Sequence, residues 1–299
     1  MIKLGIVTIL YNSENVIDDF LKSLNKQLFH DFELFIIDNN SQDNSILKIK
    51  NSNLNFNYTL KINKNNIGVA AGNNQGIKLA LEKKCQNILI MNNDITFSSD
   101  LLMSILNEHK KDNNILITPK INYYDNKNII WYGGGFFMKK RGYKQYHRGI
   151  GDQSNNSCLT KDFVDYAPTC CLFIPGKVFE DLGIMDEKYF VYYDDVDFCY
   201  RVFKSDKYKL LFCPNIIMYH KVGSLTKSRI KNKLSCFFIK QIVKNHVYFL
   251  RKQENKLKYF FIILYFFEIN YKFFFYQEYK KTLNVFLLIQ RSYFSGLRL

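Results

Sequence analysis

The chain has 299 residues, enough for one large core or two modest ones, and its 47% hydrophobic content with regular Gly, Asn and Asp breaks excludes a disordered chain. Its net charge of +15 is lopsided: residues 221–299 hold 16 Lys and Arg against 3 Glu, while residues 1–220 come to only +2. Seven cysteines, an odd number with no C-x-x-C pair, argue against a disulfide framework or a zinc site and predict buried, reduced thiols in a cytosolic protein.

The opening M-I-K-L-G-I-V-T-I-L-Y-N-S-E has too short an apolar run for a signal peptide and reads as a first strand, Ile2–Ile9. Helical spacing then runs through Val16, Phe20, Leu24 and Leu28, predicting a helix over Ser13–Leu28 capped by Asn12 or Ser13. Strand signals at Glu33–Ile37, Tyr58–Ile62 and Asn87–Met91 alternate with helical ones at Asp43–Ile49, Ala70–Leu81 and Ser99–His109. This alternation predicts βαβ units and a largely parallel sheet, whose ligands bind beyond the carboxyl ends of the strands. Those ends carry Tyr11-Asn12, Asp38-Asn39-Asn40-Ser41 and Asn92-Asn93-Asp94. Neither G-x-G-x-x-G nor G-x-x-x-x-G-K-[ST] is present, so neither a dinucleotide fingerprint nor a P-loop accounts for them.

Beyond Lys120 the pattern loosens. Trp131–Gly135 and Arg141–Ser157 read as loops, and Gly133–Gly135 as either a mobile loop or a plain turn. Strands return at Cys170–Ile174, Lys209–Phe212 and Ile216–His220. Between them, Gly183–Arg201 places Asp194, Asp195 and Asp197 directly behind the apolar run F-V-Y-Y, which reads as a strand. Clustered carboxylates raise one another's pKa and persist where they hold a cation, cap a helix or move a proton. Alone, the cluster fits a site or a helix starting at Asp195 with an Asp197–Arg201 pair.

The composition turns basic and aromatic near Gly223–Lys227, and the tail carries 12 of the 27 Phe and 7 of the 21 Tyr. Between Lys258 and Tyr276 nearly every helical face is apolar, yet Glu268, Asn270 and Lys272 interrupt the run and argue against a conventional membrane span. Aromatics flanked by Lys suit the surface of an anionic membrane; a buried helical hairpin or a dimer contact fits the same composition. No nucleic-acid module is visible, so nucleic acid is not an expected partner.

Four segments together resemble the inverting family 2 glycosyltransferases of the GT-A fold, and among them a bacterial rhamnosyl- or galactosyltransferase-like subgroup. V-T-I-L-Y-N-S-E with I-I-D-N-N-S-Q-D-N-S is similar to the family's first strand and its D-N-x-S-x-D-x-S turn. N-N-I-G-V-A-A-G-N-N-Q-G-I follows N-x-G-x-x-x-G-N-N-x-G-I. I-L-I-M-N-N-D-I stands where the family carries its D-x-D-like metal motif, with Asn92 in place of the first acid. The acidic segment follows G-x-x-D-E-x-F-F-x-Y-x-E-D-x-D-x-x-x-R, with Asp194 in place of Glu, and M-Y-H-K-V-G-S-L falls at the family's late histidine.

The resemblance covers about residues 2–225. It implies an α/β GT-A fold, with a mostly parallel central sheet flanked by helices. The catalytic domain would be 1–225, with a nucleotide-sugar half over about 1–120 and an acceptor half over about 121–225. Residues 226–299 would be a helical, membrane-associated extension. A divalent ion, Mn²⁺ or Mg²⁺, would neutralise the departing diphosphate, held by Asp94 and His220. Asp195 would take the acceptor hydroxyl's proton, its pKa raised by Asp194 and Asp197, with Asp194 the alternative base and Asp197 a helix cap. Asp38 would accept from a pyrimidine imide, Tyr11 would stack on the base, and Asn12 or Glu14 would meet the ribose. Asn40, Asn66, Gly72, Asn74, Asn92 and Asn93 would complete the nucleotide-sugar pocket.

The expected activity is transfer of one sugar from a UDP- or dTDP-sugar to a lipid-linked surface-glycan acceptor, by a cytoplasmic protein peripheral on the inner face of the cytoplasmic membrane. A sugar-nucleotide nucleotidyltransferase and a non-catalytic membrane scaffold are the alternatives. The first would carry a Gly-rich basic loop after the first strand, where L-Y-N-S-E stands.

Overall fold

A computed structural model describes residues 4–155, 159–223, 229–230 and 233–299; Cys158 and the expected domain boundary after residue 225 lie outside the described residues. The first elements alternate as the sequence predicts: β1 (Leu4–Leu10), α1 (Ile17–Asn25), β2 (Phe32–Asp38), α2 (Ser45–Asn51), β3 (Asn57–Ile62), α3 (Val69–Glu82) and β4 (Asn87–Met91). Then come β5 (Ile95–Phe97), α4 (Leu101–His109), β6 (Ile115–Tyr123), β7 (Ile130–Tyr132), β8 (Gly135–Met138), β9 (Lys144–His147), β10 (Asp162–Val164), β11 (Cys171–Pro175), α5 (Gly176–Leu182), α6 (Asp194–Lys204) and β12 (Lys209–His220). Three long helices follow: α7 (Cys236–Lys252), α8 (Lys258–Phe275) and α9 (Leu283–Arg298).

The main sheet has the order β10-β12-β6-β11-β4-β1-β2-β3, with β5 added to β12 and β7 to β6. Strands β4, β1, β2 and β3 are parallel neighbours, β11 runs antiparallel to both β4 and β6, and β12 runs parallel to β6. The sheet is therefore mixed, yet six long strands point the same way. Their carboxyl ends, Leu10, Asp38, Met91, Tyr123 and His220 among them, meet at one edge, joined there by the amino end of β11.

Strands β1 and β2 are buried almost throughout, as their unbroken apolar sequences require, whereas the edge strand β3 is largely exposed. Helix α3 lies on β1 so closely that a Cβ at Gly76 would stand 2.4 Å from Val7 Cγ1. The glycines of the N-N-Q-G-I segment thus serve helix–strand contact.

Several elements differ from the sequence reading. Helix α1 starts at Ile17, because the Ser13 carbonyl already accepts from the backbone of Val16 and Ile17 in a preceding turn, and neither Asn12 nor Ser13 caps it. The two strands expected over 209–220 are one strand with a bulge between Cys213 and Ile217. The regions 131–135 and 141–157, read as loops, contain β7 and the β8–β9 hairpin. Gly135 is pinned there, its carbonyl accepting from the backbone of Asp165 and Tyr166 at 2.9 and 3.1 Å. The run Tyr189–Tyr193 is no strand: it bends, and Tyr192 and Tyr193 have φ of 65° and 72°.

The C-terminal helices share one element with the body. On one side of α7, Tyr248 and Phe249 belong to the main core. On the other, Ile239, Val243, Val247 and Leu250 form a second core with Phe261, Tyr265, Ile289 and Tyr293. Helix α9 approaches α7 at Gly296, where a Cβ would meet the Lys244 carbonyl oxygen at 2.3 Å. Five cysteines are buried free thiols, as expected, and Cys236 is exposed.

Candidate active site

The carboxyl edge of the sheet gathers the candidate residues. Pairing of Leu10 with Asp38 across β1 and β2 sets the Asp38 side chain beside the Tyr11–Asn12 turn. Asp38 is fully buried; its Oδ2 accepts from Ser41 N at 3.1 Å, and its Oδ1 has no hydrogen-bond partner among the described residues. A buried carboxylate oxygen left open is costly unless a ligand N–H completes it. Tyr11 is exposed at the same edge. Asn12, at φ 50°, donates its backbone N–H to Ser41 Oγ and accepts from Gln42 N, closing the turn; Asn40, at φ 65°, accepts from the Gln42 side chain.

Other pocket candidates are structural joints. Asn74 is fully buried, donates to the Met185 carbonyl and to Glu187, and accepts from Met185 N, so it bolts α3 to the segment before the acidic cluster; it has no face left for a nucleotide. Gly72 is buried in helix α3, where a Cβ would stand 3.2 Å from Ile9. Asn93 is buried and donates to the Ile9 carbonyl and Ser13 Oγ, tying the end of β4 to β1. Glu14 accepts from the backbone and side chain of Asn44. Asn66 accepts from Gly68 N in a local turn, which brings Gly68, at φ +88°, against the Phe190 carbonyl.

Asp94 and His220 come together because β5 pairs antiparallel with β12, setting Ile95 opposite His220. His220 Nε2 lies 3.2 Å from Asp94 Oδ1, and both side chains are buried. Burial disfavours the imidazolium, but Cys170 and Asp94 outweigh it and hold His220 well above its usual range. The Cys170 thiol is itself raised by burial and keeps its proton, so the Asp94 carboxylate is the partner that counts. Asn92 bonds to Cys170 through both its backbone and its side chain. Trp131 packs edge-on against His220, with ring centroids 4.8 Å apart.

Asp195 is partly exposed, whereas Asp194 is buried with Oδ2 unpartnered among the described residues. Asp195 Oδ2 accepts from the Tyr166 hydroxyl at 2.8 Å, and Oδ1 from Val196 N at 2.8 Å. Burial, more than crowding, pushes the Asp195 carboxyl up, opposed by these donors. Burial and then the Asp195 charge drive Asp194 well above the usual carboxylate range. Asp197 caps nothing: α6 begins at Asp194 with no side-chain cap, and Asp197 instead pairs with Arg201 at 3.2 Å and Lys252 at 2.7 Å.

Sequence reasoning missed Tyr166, Trp131, His147 and Cys170. His147 stacks on Tyr166 and meets Trp131 edge-on, so an aromatic string connects the Asp195 side of the edge to the Asp94–His220 side. The lone tryptophan of the chain was the one available signal.

A family model, Glycosyl transferase family 2, matches residues 5–178. The chain belongs to this family. Among curated members, the low-salt glycan biosynthesis hexosyltransferase of Haloferax volcanii is 27% identical over 201 residues, covering 66% of this chain and 61% of that protein. The chain thus matches less than two thirds of that relative's length. The dTDP-rhamnosyl transferase of Shigella flexneri is 25% identical over 228 residues, covering 73% of this chain and 68% of the relative.

Solved structures of glycosyltransferases share the fold. GalNAc-T7, crystallised with UDP, GalNAc and Mn²⁺, superposes with a TM-score of 0.67 at 15% identity, over 87% of this chain and 50% of that one. S. aureus TarS 1–349 gives 0.60 at 14% identity, over 98% of this chain and 80% of that one. The fold is the expected GT-A fold of family 2. The family match ends at residue 178, before the Asp194–Asp195 pair and His220.

Among the described residues no group of three His, Cys, Asp or Glu side chains is placed to hold a metal ion. Asp94 and His220 offer one oxygen and one nitrogen donor on the same edge as Asp38, a donor set that suits Mn²⁺ or Mg²⁺ once phosphate oxygens supply the remaining positions.

Proposed function

We propose that this family 2 member is an inverting glycosyltransferase. It moves one sugar from a UDP- or dTDP-sugar to a hydroxyl of a lipid-linked surface-glycan acceptor. The observation that carries the reading is the meeting, at one sheet edge, of an open buried carboxylate oxygen on Asp38, the Asp94–His220 pair and the partly exposed Asp195. Family membership disfavours the nucleotidyltransferase alternative.

Asp38 accepts the imide N–H of the pyrimidine, with Tyr11 against the base. Asp94 and His220 would hold a divalent ion, which when bound supplies positive charge to the diphosphate. Asp195, lifted by burial, removes the acceptor hydroxyl's proton as the oxygen attacks the anomeric carbon. The Tyr166 hydroxyl fixes which Asp195 oxygen faces the substrate.

The exposed face of α8 supports a lipid-linked acceptor and action at a membrane surface. Phe260, Ile263, Phe267, Tyr271 and Phe274 lie on one helical face and are each more than half exposed, while Phe261, Tyr265 and Ile269 bury the other. An open cavity of about 830 Å³ between α8 and α9 has Arg251, Lys252 and Lys258 at one end. Exposed apolar patches of this kind mark interaction surfaces, and the surrounding basic charge selects an anionic lipid surface as the partner. Among the described residues no helix is long and apolar enough to cross a membrane, so the reading is peripheral attachment at the inner face of the cytoplasmic membrane.

The test is turnover of a panel of UDP- and dTDP-sugars with Mn²⁺ or Mg²⁺, with the product anomer read by NMR. Transfer with inversion, lowered about 10²- to 10⁴-fold in Asp195→Asn, is the expected result. Retained configuration, or full activity in that variant, overturns the mechanism; binding without turnover of any donor leaves the scaffold reading.

A further inference from the structure

The acid pair is preceded by an unusual corner. Tyr192 and Tyr193 are consecutive non-glycine residues in the left-handed region, and Tyr193 is the residue from which α6 starts. Such conformations persist only where the surroundings over-determine them, and they cluster at functional sites. What holds this corner is α7, in the C-terminal helical unit.

Asn245, fully buried, donates its side-chain amide to the carbonyls of Val191 and Tyr192, at 2.9 Å each. The Tyr193 hydroxyl is hydrogen-bonded to Nδ1 of the neighbouring residue, His246. The imidazole lies against Tyr265 of α8 at a centroid distance of 4.0 Å and meets the Tyr193 ring edge-on. The groups facing His246 are Tyr193, Tyr265, Lys144, Glu268 and Lys272. Burial, with Lys144 adding to it, holds its pKa down at about 3, so the imidazole stays neutral.

We infer that Asn245 and His246 are positioning residues for the acid pair, so that the C-terminal helices complete the active site as well as attach it to a surface. This rests on the glycosyltransferase reading for the identity of the reaction. The geometry is a short series of contacts: Tyr265 on His246, His246 on Tyr193, and Tyr193 peptide-bonded to Asp194, which precedes Asp195. Asn245 fixes the two peptides whose rotation would turn α6's first residues away from Tyr166.

The experiment uses the full chain and four variants. Asn245→Asp keeps shape but turns the amide donor into an acceptor facing two carbonyls. His246→Leu removes the Nδ1 partner of Tyr193, and His246→Asn restores a hydrogen-bonding group at the same distance from the backbone. Asp195→Asn reports loss of the base itself. Steady-state kcat, donor KM, nucleotide affinity and thermal midpoint are measured for each.

Misplacement of a reacting group by about 1 Å costs about 10²-fold in rate, so Asn245→Asp and His246→Leu should lose about that in kcat. Donor KM and nucleotide affinity should stay within about twofold, because the Asp38 end of the edge is untouched, and His246→Asn should recover most of kcat. A folded Asn245→Asp with kcat within about twofold of the parent protein overturns the inference. So does a loss of kcat that follows the thermal midpoint and donor affinity together, which is the signature of a merely structural joint. If Asn245→Asp does not fold, the His246→Leu and His246→Asn pair decides by the same comparison.

A readout without turnover separates this inference from the function it builds on. Carboxyl ¹³C titration of the acid pair should move toward the ordinary carboxylate range in Asn245→Asp, as water reaches Asp194, and stay put in His246→Asn. An unmoved titration in a folded Asn245→Asp overturns the inference whether or not a donor sugar has been found. Absence of transfer by the parent protein overturns only the glycosyltransferase reading.

Discussion

The Tyr166 hydroxyl donates to Asp195 Oδ2 at 2.8 Å, and this bond links the strand-rich middle of the chain to the acid pair that opens α6. Tyr166 can reach it because its own backbone is held on Gly135, and its ring is braced by His147 and Phe137. The donor stabilises the carboxylate form, so it offsets part of what burial does to Asp195.

Removing that hydroxyl should therefore raise the Asp195 pKa further. Tyr166→Phe is expected to shift the acid limb of the kcat/KM profile to higher pH and to lower kcat about tenfold at neutral pH, with donor KM little changed. A pH–rate profile superimposable on the parent's would remove Tyr166 from the site.

Asp194 should behave opposite to most buried charges on substitution. Its folded-state pKa lies above the unfolded value of 3.8, so the folded protein binds that proton more tightly. The resulting stability is complete at low pH and is lost as pH rises from about 4 through the folded pKa, at about 1.4 kcal/mol per pH unit. Asp194→Asn keeps the shape and escapes that loss. Urea midpoints should match the parent's near pH 4 and exceed it increasingly toward neutrality; a variant less stable at pH 7 would contradict this account.

His246 carries the reverse dependence. Its pKa falls from 6.5 to about 3 on burial, so the unfolded chain takes up a proton that the folded one refuses. Stability is whole above pH 6.5 and declines on acidification toward pH 3, by about 1.4 kcal/mol per pH unit from this one group. Denaturation of the parent and of His246→Asn at pH 7 and pH 5 should show the acid sensitivity reduced in the variant. Equal slopes would mean that the imidazole is solvated.

For the surface helix, point charges are a sharper probe than truncation. Deletion from residue 226 would strip Tyr248 and Phe249 from the main core and confuse unfolding with release. Phe260→Glu, Phe267→Glu and Phe274→Glu act on exposed positions only. Each should weaken sedimentation with anionic liposomes about tenfold while leaving the thermal midpoint within a few degrees. Unchanged liposome binding by the triple variant would disprove docking through this face.

Much of the candidate site's edge was legible in the sequence, and for a physical reason. Asp38, Asp94 and His220 stand at the ends of buried apolar strands, where polarity changes abruptly, and parallel topology brings such ends together. Asn74 was expected in the pocket from the resemblance alone; here α3 presses on β1 and the asparagine bonds to Met185 across the gap. Tyr189–Tyr193 has strong strand propensity, overridden because Asn245 and His246, more than 50 residues downstream, bend it. Tyr166 was invisible for a similar reason: its place depends on Gly135, 31 positions earlier, and no local periodicity reports that.

Helix α7 is a structural member of two cores at once, so the chain acquires its parts in a fixed order during synthesis. A nascent chain that has emerged as far as β12 already owns the strands whose ends carry Asp38 and His220. Its Tyr192–Tyr193 corner waits for residues near 245, and the full seating of those residues waits for α8 and α9. Seating of the Asp194–Asp195 corner is then the last step such a molecule completes and, on loss of residues from the C-terminus, the first it forfeits.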